Sequence, residues 1–232
     1  MKTYLGIDVG SITCKLVLIN GKNEIIYSSY FRTEGNPILA IQKGLKELRR
    51  IVTGNFEVCG VGTTGSARYL AGVVTGADLI KNEITAHAKG TTFFIPDART
   101  VLEIGGQDSK IIILENGVVV DFAMNLICAA GTGSFLDAQA FRLGIPIEKF
   151  GEIALKSETP TIIGSRCTVF CESDMIHKQQ IGHSTEDIIA GLCYGLARNF
   201  LANVAKGKKV LHPIVFLGGV SENLGMRKAF EE

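Results

Sequence analysis

The chain has 232 residues with 46% apolar content, enough for one large domain or two modest lobes with a sizeable core. Lys plus Arg number 24 and Asp plus Glu 23, a net charge of +1 that removes any general electrostatic case for nucleic acid or an anionic membrane. Mean hydropathy is +0.25, yet no apolar run reaches about 18 residues, so no membrane-spanning helix is expected. Asp8 falls too early for a signal-peptide core, and six cysteines in a chain of this size read as reduced thiols of a cytoplasmic protein.

In chain order, residues 3–9 and 15–19 read as strands, with Asn20-Gly21 as a two-residue hairpin turn and 24–30 pairing back. Asn36-Pro37 opens an amphipathic helix to residue 50, with Ile38, Ile41, Leu45 and Leu48 at helical spacing. A strand over 56–61 and helices over 66–74 and 84–90 follow, and Asp97-Ala98-Arg99 is a polar break. The opening pattern then returns: strand 100–104, the turn Gly105-Gly106-Gln107-Asp108, strand 110–114, the turn Glu115-Asn116-Gly117, strand 118–124. Helices are expected over 134–143, 168–180 and 186–204, and a buried strand over 213–217 runs into Gly218-Gly219. Strand, Gly-rich turn with an acid and a lysine, strand, Asn-Gly turn and strand thus occur twice. A duplicated α/β fold follows, with lobes 1–97 and 98–232.

The repeated turn carries chemistry. In Asp8-Val9-Gly10-Ser11-Ile12-Thr13-Cys14-Lys15, glycine lets backbone N–H groups approach a phosphate, Ser11 and Thr13 offer hydroxyls, and Lys15 adds a charge. Asp8, ending a strand, suits a hydrated Mg²⁺. Glu103-Ile104-Gly105-Gly106-Gln107-Asp108-Ser109-Lys110 supplies equivalent parts, so the two hairpins are expected to clamp a nucleotide's phosphates between the lobes. In Phe216-Leu217-Gly218-Gly219-Val220-Ser221-Glu222-Asn223, a glycine pair between strand and helix suits a flat adenine or ribose. Gly60-Val61-Gly62-Thr63-Thr64-Gly65 matches a dinucleotide glycine pattern but sits on a later strand, and reads as an ordinary turn. No Walker-type Gly-Lys-Ser/Thr sequence occurs.

These three elements, in this order and over essentially the whole chain, resemble the actin, sugar-kinase and heat-shock-chaperone ATPase superfamily. The resemblance implies a duplicated ribonuclease-H-like fold. Its first hairpin binds phosphates, its second binds phosphates and organises metal and water, and its glycine pair holds adenosine.

Among the thiols, Cys14, Cys59 and Cys193 read as small core residues. Cys128, in Cys128-Ala129-Ala130-Gly131-Thr132-Gly133, and Cys167, in Cys167-Thr168-Val169-Phe170, each precede a predicted helix, whose N-terminus favours a thiolate. Zinc spacing is missing, and a four-thiolate cluster needs four ligands, which two cysteines from each of two chains would supply. With the Gly105-Gly106-Gln107-Asp108 hairpin, these motifs look like the iron–sulfur ATPase activators of 2-hydroxyacyl-CoA dehydratases and benzoyl-CoA reductases.

That resemblance implies ATP/ADP and Mg²⁺ as ligands, and one 4Fe–4S cluster per homodimer, held by Cys128 and Cys167 of each chain. It implies Asp8, Glu103 and Gln107 as catalytic residues, with Asp8 also holding Mg²⁺ through water. It places nucleotide contacts at Gly10, Ser11, Ile12, Thr13, Cys14, Lys15, Gly105, Gly106, Asp108, Gly131, Gly133, Gly218, Gly219 and Asn223. The implied partners are a dehydratase or reductase component and a ferredoxin or flavodoxin donor, with no nucleic acid and no membrane.

Three departures stand out. Cys171 lies one helical turn after Cys167, where burial is favoured over a ligand role. Glu103 stands where the family often has Asp, and Glu83 and His87, in a segment with a family counterpart, read as structural or interlobe residues. The chain ends early in a helix, so a truncated second lobe is expected. Two other readings remain open: a small-molecule kinase of the same fold, and a nucleotide-dependent regulatory module without a cluster.

Overall fold

A computed structural model describes residues 1–125, 131–164 and 167–232, the side chains of 168 and 169 excepted. The chain divides into two compact units, Met1–Gly90 and Thr91–Glu232.

Unit one runs β1 (Lys2–Val9), β2 (Thr13–Asn20), β3 (Ile25–Arg32), α1 (Pro37–Ile51), β4 (Glu57–Thr64), α2 (Arg68–Thr75) and β5 (Leu79–Ile80). Helix α3 (Glu83–Phe94) carries the chain across the division, upstream of the polar break at Asp97. The sheet order is β3-β2-β1-β4-β5. The first three strands form an antiparallel meander, and β4 joins β1 in parallel. Period-two alternation puts Leu5, Ile7 and Val9 of β1 and Cys14, Leu16 and Leu18 of β2 on one face, where they pack with Ala40, Ile41 and Leu48 of α1. Helix α1 starts where predicted: the Asn36 side chain accepts from the Leu39 N–H at 3.0 Å, with Pro37 at the first position. Gly44 lets α1 settle on β2, since a Cβ there would lie 2.6 Å from Leu16 Cδ1. The expected two-residue turn at Asn20-Gly21 is corrected. The connection spans residues 21–24, the Asn20 side chain accepts from the N–H groups of Lys22 and Glu24, and Asn23 takes the left-handed conformation at φ 63°.

Unit two repeats the theme. Strands β6 (Thr100–Ile104), β7 (Ser109–Glu115), β8 (Val118–Asn125) and β9 (Ile214–Leu217) are ordered β8-β7-β6-β9, with the pairing senses of the first four strands of unit one. Asn116 at φ 50° and Gly117 at φ 75° make the β7–β8 turn of the primed kind that right-twisted hairpins favour. Between β8 and β9 lie α4 (Gly133–Arg142), α5 (Ile147–Ala154), α6 (Thr168–Gln180) and α7 (Thr185–Asn203). Helix α7 is the spine of this unit's core, burying Ile188, Ile189, Leu192, Leu196 and Phe200. Gly191 is required there, because a Cβ would lie 2.0 Å from the Thr161 carbonyl oxygen. A 3-10 turn, Gly219–Glu222, leads from β9 into α8 (Leu224–Glu231).

Helix α5 and the two-residue β5 were not foreseen; both are short, and α5 begins directly after Pro146. Strand β9 is half-buried along its length rather than buried. No helix among the described residues is long and apolar enough to cross a membrane.

Candidate functional site

In unit one, Asp8 and Lys15 face each other across the β1–β2 ladder, and their side chains pair at 2.7 Å. Both remain reachable, with side-chain exposures of 27% for Asp8 and 38% for Lys15. The turn between them is closed by the Gly10 N–H donating to the Thr13 carbonyl at 2.9 Å. Thr33 pins it from the side: its N–H donates to the Ile12 carbonyl, and its hydroxyl to that of Ser11 at 2.8 Å. Among the described residues nothing accepts from the N–H groups of Ser11 or Ile12. A turn with tethered carbonyls and open amides is a cradle for an anion.

Unit two repeats this geometry more deeply buried. Glu103 pairs in register with Lys110, whose ammonium lies 3.0 Å from Glu103 and 2.9 Å from Asp108. Burial alone would push the Lys110 ammonium down, but the two carboxylates outweigh it and hold it above the ordinary lysine value. Glu103 is 5% exposed, whereas Gln107 is exposed at the tip of the turn. Gly105 donates to the Asp108 carbonyl at 2.9 Å, and among the described residues nothing accepts from the N–H groups of Gly106 or Gln107. The carbonyls of this turn are held by the start of α4: Gly133 N–H donates to Gly105 at 2.8 Å, and Ser134 N–H to Gly106 at 2.9 Å. The Ser134 hydroxyl also donates to the Gly106 carbonyl. Gly131 lies against Asn125 and Asn199, where a Cβ would meet each side chain at 3.2 Å.

Gly218 ends β9 at φ 88°, and a Cβ there would lie 2.2 Å from the Ile104 carbonyl oxygen and 2.8 Å from Glu103 Oε1. Only glycine fits. Gly219 is exposed, and the Asn223 side chain caps α8 by accepting from the Met226 N–H at 3.1 Å.

The thiols separate by environment. Cys14 is fully buried in the unit-one core, and burial, reinforced by Asp8, pushes its thiol up to about 11 against the pull of Lys15. Only its backbone can serve a nucleotide. Cys193, buried in α7, is pushed up to about 12 by desolvation. Cys171 is buried and donates to the Gly164 carbonyl. Cys59 corrects the expectation of a core residue, being exposed on β4. Cys167 is half-exposed, with extended backbone, at the N-cap of α6. Cys128 lies outside the described residues. Among the described residues no group of three or more His, Cys, Asp or Glu side chains can hold a metal ion. One accessible thiol at a helix N-terminus is the right donor chemistry for a thiolate-bound cluster, and too few donors for a whole one.

The glycine run 60–65 reads from the sequence as an ordinary turn. Gly60 and Gly62 lie within β4, paired with β1, so they form no dinucleotide loop. Gly65, however, ends β4 at φ 93° against Val9 and Asp8.

A sheet of order three-two-one-four, built twice and carrying each time a tight turn between a carboxylate and a lysine, defines the duplicated actin-like ATPase fold. The chain belongs to the BadF/BadG/BcrA/BcrD ATPase family, matched over residues 5–232. It is 35% identical to the (R)-2-hydroxyglutaryl-CoA dehydratase activating ATPase of Acidaminococcus fermentans, over 98% of this chain and 86% of that protein. The crystal structure of the Acidaminococcus fermentans (R)-2-hydroxyglutaryl-CoA dehydratase component A superposes with a TM-score of 0.89 at 34% identity, covering 100% of this chain and 88% of that one. The activator of the 2-hydroxyisocaproyl-CoA dehydratase from Clostridium difficile, with bound ADPNP, gives a TM-score of 0.87 at 33% identity, covering 98% of this chain and 84% of that one.

Proposed function

We propose that the chain is an ATP-hydrolysing activator that delivers single low-potential electrons to a 2-hydroxyacyl-CoA dehydratase or a related reductase. The observation that carries this is the doubled phosphate turn, with open amides in both copies and a reachable carboxylate–lysine pair at Asp8 and Lys15. Relatives named as dehydratase activators, at a third identity over nearly the full chain, support the same reading.

Ser11, Ile12, Gly106 and Gln107 donate backbone hydrogen bonds to phosphate oxygens, and Lys15 neutralises charge. Asp8 holds Mg²⁺ through its waters, which suits an ion that dehydrates reluctantly. Gln107, exposed at its turn, orients the attacking water, since phosphoryl transfer needs positioning more than a strong base. Glu103 is buried against Lys110, and its role is to hold the second turn in shape.

A 4Fe–4S cluster, held in a homodimer by Cys128 and Cys167 of each chain, would supply one-electron transfer from a ferredoxin or flavodoxin to the partner enzyme. The second turn is bonded directly to the first residues of α4, and Cys128 lies five residues before Gly133. Changes at the terminal phosphate would thereby reach the cysteine-bearing segment through backbone hydrogen bonds.

The test is phosphate release from MgATP by purified protein with no added acceptor. Asp8→Asn is expected to lower the rate by about 100-fold or more while the fold is kept, the scale of losing a preorganised electrostatic contact. A wild-type protein that frees no phosphate and forms ADP only when a hydroxyl acceptor takes up the phosphoryl group contradicts the reading and favours the kinase.

A further inference from the structure

The turn after β4 is the unit-one counterpart of the turn after β9. Gly65 and Gly218 both follow the strand paired in parallel with the carboxylate strand, at φ 93° and 88°. In each, a Cβ would strike the carbonyl after the carboxylate residue, at 2.3 Å from Val9 and 2.2 Å from Ile104. In each it would also crowd that carboxylate, at 2.6 Å from Asp8 Oδ1 and 2.8 Å from Glu103 Oε1. In each, the N–H three residues on donates back to the glycine carbonyl, from Arg68 at 3.2 Å and from Ser221 at 3.1 Å. The same two side chains donate to it as well. Ser66 therefore occupies the position of Gly219.

A second, independent observation concerns where Ser66 lies. Its hydroxyl is 3.4 Å from that of Ser11 on the phosphate turn. Both are exposed, and they line one concavity of about 230 Å³ with Gly10 and Thr33. A pair of hydroxyls this close, at the edge of a turn with open amides, suits the oxygens of a polyphosphate.

We infer that the Gly65–Ser66 turn belongs to the phosphate site of unit one, Ser66 being a binding residue for the nucleotide's phosphates and Gly65 the positioning residue that sets Ser66 and Asp8. This rests on the ATP-hydrolysing reading above. Ser66 donates its hydroxyl hydrogen to a phosphate oxygen, and the Ser11 hydroxyl donates to a neighbouring one.

The experiment is steady-state MgATP hydrolysis by wild type, Ser66→Ala and Ser66→Thr, with nucleotide binding measured calorimetrically and folding checked by thermal melt. Ser66→Ala is expected to raise KM and the ADP dissociation constant by about 10-fold or more, the worth of one hydrogen bond to a charged group, with kcat within about twofold. Ser66→Thr, which keeps the hydroxyl, restores KM to within about twofold of wild type. Gly65→Ala is expected to lower kcat and raise the Mg²⁺ concentration for half-maximal rate, by crowding Asp8. Unchanged KM and ADP binding in folded Ser66→Ala overturns the inference even where wild type hydrolyses ATP. Loss in Ser66→Ala that Ser66→Thr does not restore also overturns it. A wild type inactive toward ATP fails the proposed function instead.

Discussion

The two carboxylate–lysine pairs are built on the same register but differ in burial, and a matched pair of substitutions separates their roles. Lys15→Met removes a cation that is 38% exposed beside an Asp8 side chain that is 27% exposed. Such pairs contribute about 0–1 kcal/mol to stability, so the urea midpoint is expected to move little. Lys110→Met removes the ammonium that lies 3.0 Å from the buried Glu103 carboxylate, in a site where the Glu103 and Lys110 side chains are 6% and 2% exposed. Breaking one partner of a buried pair costs about 3–5 kcal/mol, or about 10–15 °C in melting temperature for a unit of this size. The double variant Glu103→Gln/Lys110→Met removes the stranded charge as well and is expected to recover most of the loss. The pH dependence has a fixed sign. The folded value for Lys110 lies above its ordinary 10.5, so its contribution is complete below that pH and is lost as pH rises through the folded value. Wild-type stability therefore erodes at strongly alkaline pH, and Lys110→Met flattens that limb. Urea unfolding of all four proteins at neutral and alkaline pH decides the matter. Equal, small losses for Lys15→Met and Lys110→Met would refute the reasoning.

Two further predictions follow from the local environments. Brief alkylation of the native apoprotein near pH 8, read by peptide mass spectrometry, labels Cys59 and Cys167 well ahead of Cys14 and Cys193, whose thiols burial raises to about 11 and about 12. Equal labelling of Cys193 in folded protein would contradict its placement in the core. Gly218→Ala lowers stability by more than about 2 kcal/mol in urea unfolding, because it combines a left-handed backbone with a 2.2 Å clash against the Ile104 carbonyl. A neutral effect would show that the turn differs from its description.

Much of the fold was legible because its signals are local. The acid-to-lysine interval of seven residues recurs at Asp8–Lys15 and Glu103–Lys110, and it exposes the duplication before any contact is known. Asn36-Pro37 marks the start of α1 by cap chemistry alone, and Asn116-Gly117 marks a primed turn. What was missed depends on non-local pairing. Which glycine of the 60–65 run takes the left-handed conformation is decided by the parallel pairing of β4 with β1, which brings Gly65 against Val9. The signal lies in the residues after the fourth strand of each repeat, and it emerges only because β4 runs on to Thr64, past residue 61 where its apolar character ends. Cys59 reads as a core residue from its place in a strand. Residues 57–59 at the start of β4 are all exposed, so membership of a strand does not by itself decide burial. The buried state of Glu103 was equally illegible, since nothing in an acid, two glycines and a lysine says how deeply a turn is covered.

Counting iron and sulfide in protein purified anaerobically and reconstituted, with electron paramagnetic resonance after reduction, decides whether the chain is a cluster-bearing activator. A brown dimer with about four irons and four sulfides per two chains is expected. That signal disappears in Cys128→Ser and in Cys167→Ser and persists in Cys171→Ser. A colourless dimer or monomer after reconstitution, or a cluster that survives loss of Cys167 but not of Cys171, would contradict that reading.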